Sequence, residues 1–133
     1  MLKTKSVHTE IAAADGLRIL VTRFRGRGLP TDRYDVWMAS LGPSENLLKR
    51  VLAKIIPWRE FAKKYREEMF APAAPDAGNA TIKNHGQKFT LRLIARLAAR
   101  QNVTLLCHCA EDATECHRFE LKQLIEREIA AMR

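Results

Sequence analysis

No apolar stretch of this chain approaches the length needed to cross a bilayer, and Met1-Leu2-Lys3-Thr4-Lys5 is not followed by a secretory apolar run. Both absences point to a cytoplasmic protein with no membrane partner. Cysteine is scarce and odd in number. Three thiols fit no secreted disulfide framework, so they are expected to be reduced, either free or holding metal. Internal repeats and composition-biased linkers are missing too. With 133 residues, the chain suits one domain with a real core and is too short for two. There is no Gly-Lys-Ser/Thr phosphate loop, no dinucleotide-binding glycine fingerprint and no paired C-x2-C zinc knuckle.

What the chain has in surplus is positive charge, a formal +8. That favours an acidic partner such as a nucleotide, nucleic acid or another phosphorylated ligand, set against the plainer reading of a solvated basic surface. The charge is uneven. Arg18, Arg23, Arg25, Arg27 and Arg33 fall close together, opposed only by Asp32. Lys63, Lys64 and Arg66 form a second group, but Glu60, Glu67 and Glu68 dilute it into a solvated helix face. The segment Arg23-Phe24-Arg25-Gly26-Arg27-Gly28 is the candidate anion loop. Guanidinium binds phosphate bidentately, and glycine lets a ligand approach the backbone. The alternative is a solvated loop with ion pairs to Asp32, Asp35 or the acids at 111–115.

Hydrophobic periodicity gives an α/β pattern. Residues 17–24 and 103–108 read as buried strands, and Tyr34-Asp35-Val36-Trp37-Met38 as a short strand or extended connector. Ser44 is a suitable N-cap for a helix carrying Leu47, Leu48, Val51, Leu52 and Ile55. Pro57 opens a second helix with Trp58, Phe61, Ala62, Tyr65 and Met69. Trp37 and Trp58 offer rings for base stacking, though each adjoins an apolar pattern and is better read as core. Residues 71–87 predict a mobile loop with a short extended piece at 80–82. Phe89, Leu93, Ile94 and Leu97 mark a third helix, and Leu121, Leu124, Ile125, Ile129 and Met132 a fourth. Strands separated by helices predict a small, mainly parallel sheet flanked by helices. The carboxyl ends of 17–24 and 103–108 would then share one rim, bringing the arginine loop to the cysteines.

All three cysteines and two of the four histidines lie between Cys107 and His117, where a strand hands over to a helix. This cluster admits several readings. As a metal site, Cys107 and Cys109 face one side of a strand, Cys116 returns across a loop, and His117 or His108 completes a set suited to zinc. As a reactive thiol, with Thr114 as N-cap, Cys116 and His117 sit in the first helical turn. The helix dipole and a neighbouring His or Arg lower a thiol pKa there, while Glu111, Asp112 and Glu115 oppose it. Cys116, His117 and Cys107 are then the catalytic candidates. A phosphate-cradling cysteine loop is disfavoured, because the segment from Cys109 to Arg118 has three acids and no glycine. The plain reading is a buried, inert Cys107 at a strand end.

The assembled segments resemble the domain-of-unknown-function 488, or YeaO-like, family. They are Val21-Thr22-Arg23, Arg27-Gly28-Leu29, Asp35-Val36-Trp37, Leu41-Gly42-Pro43-Ser44, Trp58-Arg59-Glu60-Phe61, Tyr65-Arg66, and Val103-Thr104-Leu105-Leu106-Cys107 with Cys116-His117-Arg118. The last pair resembles the cysteine-containing branch. The resemblance implies a compact, Rossmann-like three-layer domain and supplies no reaction. It implies a site pairing Arg23 and Arg27 with Cys107, Cys116, His117 and Arg118. Together with the residue readings, the expectation is a small α/β protein binding a phosphorylated ligand through Arg23, Arg25, Arg27 and Arg118. The alternatives are a structural zinc on Cys107, Cys109, Cys116 and His117, and a thiol-dependent enzyme or redox sensor.

Overall fold

The computed structural model describes residues 1–133. It contains four strands, β1 (Leu2–Ser6), β2 (Leu17–Leu20), β3 (Val36–Trp37) and β4 (Val103–Cys107). The four α-helices are α1 (Glu45–Leu52), α2 (Trp58–Phe70), α3 (Lys88–Ala98) and α4 (His117–Ala131). The strands form one sheet in the order β1-β4-β2-β3, and every pairing is parallel. The expected parallel α/β architecture is therefore present. No helix is long and apolar enough to cross a membrane.

Strand β4 is central and buried along its whole length, as a strand covered on both faces must be. Its side chains alternate. Val103 and Leu105 join the main core with Ile19 of β2 and the inner faces of all four helices, including Leu47, Phe61, Tyr65, Leu91 and Leu121. Leu106 points the other way, into a smaller cluster with Val7, Leu20 and Leu29. The α-helices thus cover one face, and the loops at 7–16 and 23–35 with their short 3-10 turns form the third layer over the other.

That second face is polar where it is not closed by Leu20 and Leu106. Asp15, 2% exposed, receives both Lys3 and Lys5 at 2.9 Å and the backbone N–H of Ala12. This explains β1, which the sequence reading did not predict. Lys-Thr-Lys looks like a solvated terminus, yet both ammonium groups are spent on one buried carboxylate.

Three further expectations are corrected. Strand β2 ends at Leu20, not residue 24. Val21 still donates to Leu106 O at 3.0 Å, but Thr22 turns, its hydroxyl donating to Phe24 O at 2.6 Å. Residues 80–82 form no strand, because Asn79 Oδ1 gathers the N–H groups of Thr81 and Ile82 into a turn. Helix α4 is capped by Cys116, not Thr114. Cys116 keeps an extended backbone (φ −156°, ψ 142°) with its sulfur turned inward, so the helix begins at His117. Ser44 caps α1 as expected, accepting from Leu47 N at 3.2 Å.

Candidate functional site

The parallel register of β2 and β4, Leu20 opposite Leu106, puts their carboxyl ends side by side. Cys107 closes β4, Cys109 follows on the connecting loop, and Cys116 and His117 open α4. The loop is pinned at its middle. Glu111 Oε1 accepts from Ser6 N at 3.1 Å and from Arg118 Nη1 at 3.2 Å, and Arg118 Nη2 also donates to Ala110 O. This folds the loop back and brings the three sulfurs together. Cys109 and Cys116 are joined as a disulfide. The free sulfur of Cys107 lies 3.3 Å from Cys109 Sγ and 3.1 Å from Cys116 Sγ. Cys107 and Cys116 are buried, and Cys109 is the most open of the three.

His117 supplies the one imidazole that faces the sulfurs. Its Nε2–H donates to Val21 O at 2.7 Å, an oxygen that can only accept. The proton is thereby fixed on Nε2, and Nδ1 presents a lone pair 3.9 Å from Cys107 Sγ and 4.0 Å from Cys116 Sγ. Burial pushes the His117 pKa down to about 4, with the nearby Arg118 charge adding to it against the Val21 bond. His117 is neutral at physiological pH. Burial also pushes the Cys107 thiol above its ordinary range, partly offset by backbone N–H groups and by Arg118. His108 does not join the cluster, since its Nε2 meets Arg25 O at 2.8 Å.

The sulfurs form the floor of a pocket of about 370 Å³ at the rim. Its wall is mainly apolar, with Phe24, Val51, Leu52, Trp58 and Phe61, and Arg23 and Glu115 bring charge to it. Gly42 packs against the Thr22–Arg23 backbone beside the pocket. A Cβ there would stand 2.3 Å from Arg23 N. A larger hollow of about 730 Å³ at the other end of the sheet, lined by Met1, Ile129 and Met132, carries none of the cysteines or histidines.

The arginines separate. Arg23 reaches the pocket, with Nε and Nη2 donating to Pro43 O and Gly42 O at 3.0 and 2.9 Å. Arg25 turns away, binding the Tyr34 hydroxyl at 2.7 Å and Leu29 O. Arg118 is 1% exposed and stays beneath the loop. Arg27 is exposed on the loop and does not line the pocket. Of the expected site residues, Arg23, Cys107, Cys109, Cys116 and His117 converge, and Arg25, Arg27 and Arg118 do not line the same space.

Residues 2–129 match the family described as the active DUF488-N3 subclade. The chain belongs to that family. It is also similar to the uncharacterized protein YeaO of Escherichia coli (strain K12), with 28% identity over 122 residues, spanning 90% of this chain and 92% of YeaO. No solved structure matches. For this DUF488-N3 member, sequence reasoning missed the apolar wall of the pocket. From its place in an apolar pattern, Trp58 reads as a core residue. It does stack on Phe61, with ring centroids 4.7 Å apart, and it also lines the pocket. The Val21 carbonyl that orients His117 leaves no signal in a sequence, because every residue has one.

Proposed function

We propose that this DUF488-N3 chain is a thiol–disulfide redox protein, acting as an enzyme or a sensor, with Cys107, Cys109 and Cys116 as its working sulfurs. The observation that carries this is the contact of all three sulfurs on a pocket floor, with the free thiol against the bonded pair. A structural disulfide needs no third sulfur in contact with it. In a reducing compartment such a disulfide belongs to catalysis or sensing. The apolar wall favours a substrate whose sulfur is flanked by apolar or aromatic groups. Arg23 offers a charge for an anionic part of that ligand, including the phosphate of a nucleotide. Redox work stands ahead of phosphate binding because Arg25 and Arg118 spend their guanidinium groups on protein acceptors.

The test is mass analysis of protein oxidised by a dithiol-specific reagent and then reduced with dithiothreitol. One disulfide that forms and opens reversibly, with Cys109 as one of its two cysteines in the oxidised state, is expected. Three thiols that never pair would overturn the proposal.

A second reading, a zinc centre, is favoured by one observation: His117 Nδ1 is held as a free lone pair by the bond on Nε2, the arrangement of a metal-binding imidazole. Cys107, Cys116 and His117 bring their donor atoms within 4.8 Å of one another, and Cys109 adds a fourth. Against it, zinc–sulfur bonds of about 2.3 Å in a tetrahedron set sulfurs about 3.8 Å apart. The Cys107 sulfur is closer than that to both others. Zinc titrated into the reduced protein separates the readings, since a zinc centre takes up one ion and then resists oxidation.

A further inference from the structure

Cys107 is the sulfur without a partner, and a buried spare thiol is usually inert. Its position here is unusual for a bystander. It stands 3.1 Å from Cys116 Sγ and 3.3 Å from Cys109 Sγ, within the separation of about 3–3.5 Å from which bond formation starts. His117 Nδ1 lies 3.9 Å from it as an acceptor for its proton. Cys109 is the sulfur most open to solvent, while Cys107 and Cys116 are buried.

We propose that Cys107 is an internal resolving thiol and that the three sulfurs form a relay, with Cys109 as the receiving sulfur and Cys107 and Cys116 as alternative partners for it. The proposal rests on the redox reading above and assigns the roles within it. In the reduced protein the Cys109 thiolate attacks one sulfur of a substrate disulfide. A Cys109–substrate bond forms, the substrate disulfide breaks, and one substrate thiolate leaves. Cys116 or Cys107 then attacks Cys109 Sγ, forming an internal disulfide and expelling the second substrate thiolate. The attacking thiol gives its proton to solvent, with His117 Nδ1 beside it as the hydrogen-bond acceptor that orients it. Two electrons pass from two cysteines to the substrate disulfide. Once the Cys109–Cys116 bond exists, Cys107 exchanges into it. Its sulfur bonds to Cys109, Cys116 leaves as thiolate, and the Cys107 proton crosses to Cys116. That step is an isomerisation and consumes no oxidant.

The probe is an aromatic disulfide, 5,5′-dithiobis(2-nitrobenzoate), on fully reduced protein, read by released aryl thiolate and by intact mass. Wild type is expected to release two equivalents quickly and retain no adduct. Cys116→Ser should still release two and close a Cys107–Cys109 bond. The double variant C107S/C116S should release one and keep a stable adduct on Cys109. Cys109→Ser should lose the fast phase. If C116S stalls with one equivalent and an adduct while wild type releases two, the relay is wrong and the redox reading survives. If wild type itself accumulates three independent adducts, the redox reading fails. Should C116S not fold, acid-quenched mapping of oxidised wild type decides. The free thiol is expected to be shared between Cys107 and Cys116, and its confinement to Cys107 overturns the relay.

Discussion

His117 donates Nε2–H to the carbonyl of Val21 at 2.7 Å, so the end of one parallel strand sets the proton position of a residue on a helix. The bond aims the imidazole while burial keeps it neutral, and that burial has a consequence for stability. The folded pKa of about 4 lies below the ordinary value of 6.5. Between those values the unfolded chain binds a proton that the folded chain refuses. The contribution is therefore complete above pH 6.5 and is lost as pH falls toward 4, in all about 3 kcal/mol. Urea midpoints measured at steps across that window should fall with acid in wild type. A His117→Gln variant should be weaker at pH 7 and show a flatter dependence. An equally steep slope in the variant would place the acid sensitivity elsewhere.

Asp15 gives a second acid limb at lower pH. Burial raises its pKa, but the Ala12 N–H and the ammonium groups of Lys3 and Lys5 outweigh this and hold the carboxyl far below its usual range. A depressed carboxylate stabilises the fold above its unfolded pKa, near 4, and loses that contribution only below it. Asp15→Asn should cost roughly 3 kcal/mol at pH 7, since it leaves two lysines facing a buried neutral group. Calorimetry should show the loss seen at pH 7 start to shrink as pH falls below about 4 and keep shrinking with further acid. A loss that persists unchanged at pH 2.5 would mean the side chain matters for its shape and not its charge.

The two groups also show what was legible in the sequence. The Cys/His junction was readable, because a strand-like run, three thiols and a helix pattern are local signals. The shared rim followed from the parallel topology that such a pattern forces. Strand β1 was not readable, since its burial depends on Asp15, a residue with nothing local to mark it as a counter-ion. Equally, Arg118 looks like a rim cation in sequence. Only the folded-back loop makes it a buried strut for Glu111 and Ala110.

Arg118 sets the electrostatics of the sulfur cluster from behind. Its charge lowers the pKa of both Cys107 and His117, working in each case against whichever form is more positive. Arg118→Met keeps much of the buried volume but removes the charge and the bonds to Glu111 and Ala110, so it should cost about 3 kcal/mol. Both pKa values should rise together. Iodoacetamide profiles of Cys107 should move to higher pH, and the His117 ring signal in NMR should titrate at higher pH than in wild type. Movement of the two in opposite directions would mean that geometry, not charge, carries the effect.

By having no side chain, Gly42 lets its segment pack on the Thr22–Arg23 backbone, and Thr22, Arg23 and Pro43 line the pocket. An added Cβ would stand 2.3 Å from Arg23 N and 2.8 Å from Thr22 C, both backbone atoms that cannot swing aside. The segment must then move off the end of β2, stretching the bonds from Arg23 to Gly42 O and from the Tyr65 hydroxyl to Leu41 O. Gly28 is the internal control. Its φ is +78°, which disfavours a side chain, but nothing lies within 4 Å of the added atom. Gly28→Ala should cost about 1 kcal/mol from backbone strain alone, with the sulfur chemistry untouched. Gly42→Ala should cost about 2–3 kcal/mol from overpacking and should also slow the release of aryl thiolate by the reduced protein, because Arg23 and Pro43 of the pocket lining must shift. Denaturant midpoints and the release rate, measured on both variants, separate the effects. Equal costs with equal rates would show that the contact at Gly42 relaxes freely and that the pocket wall is built by other residues.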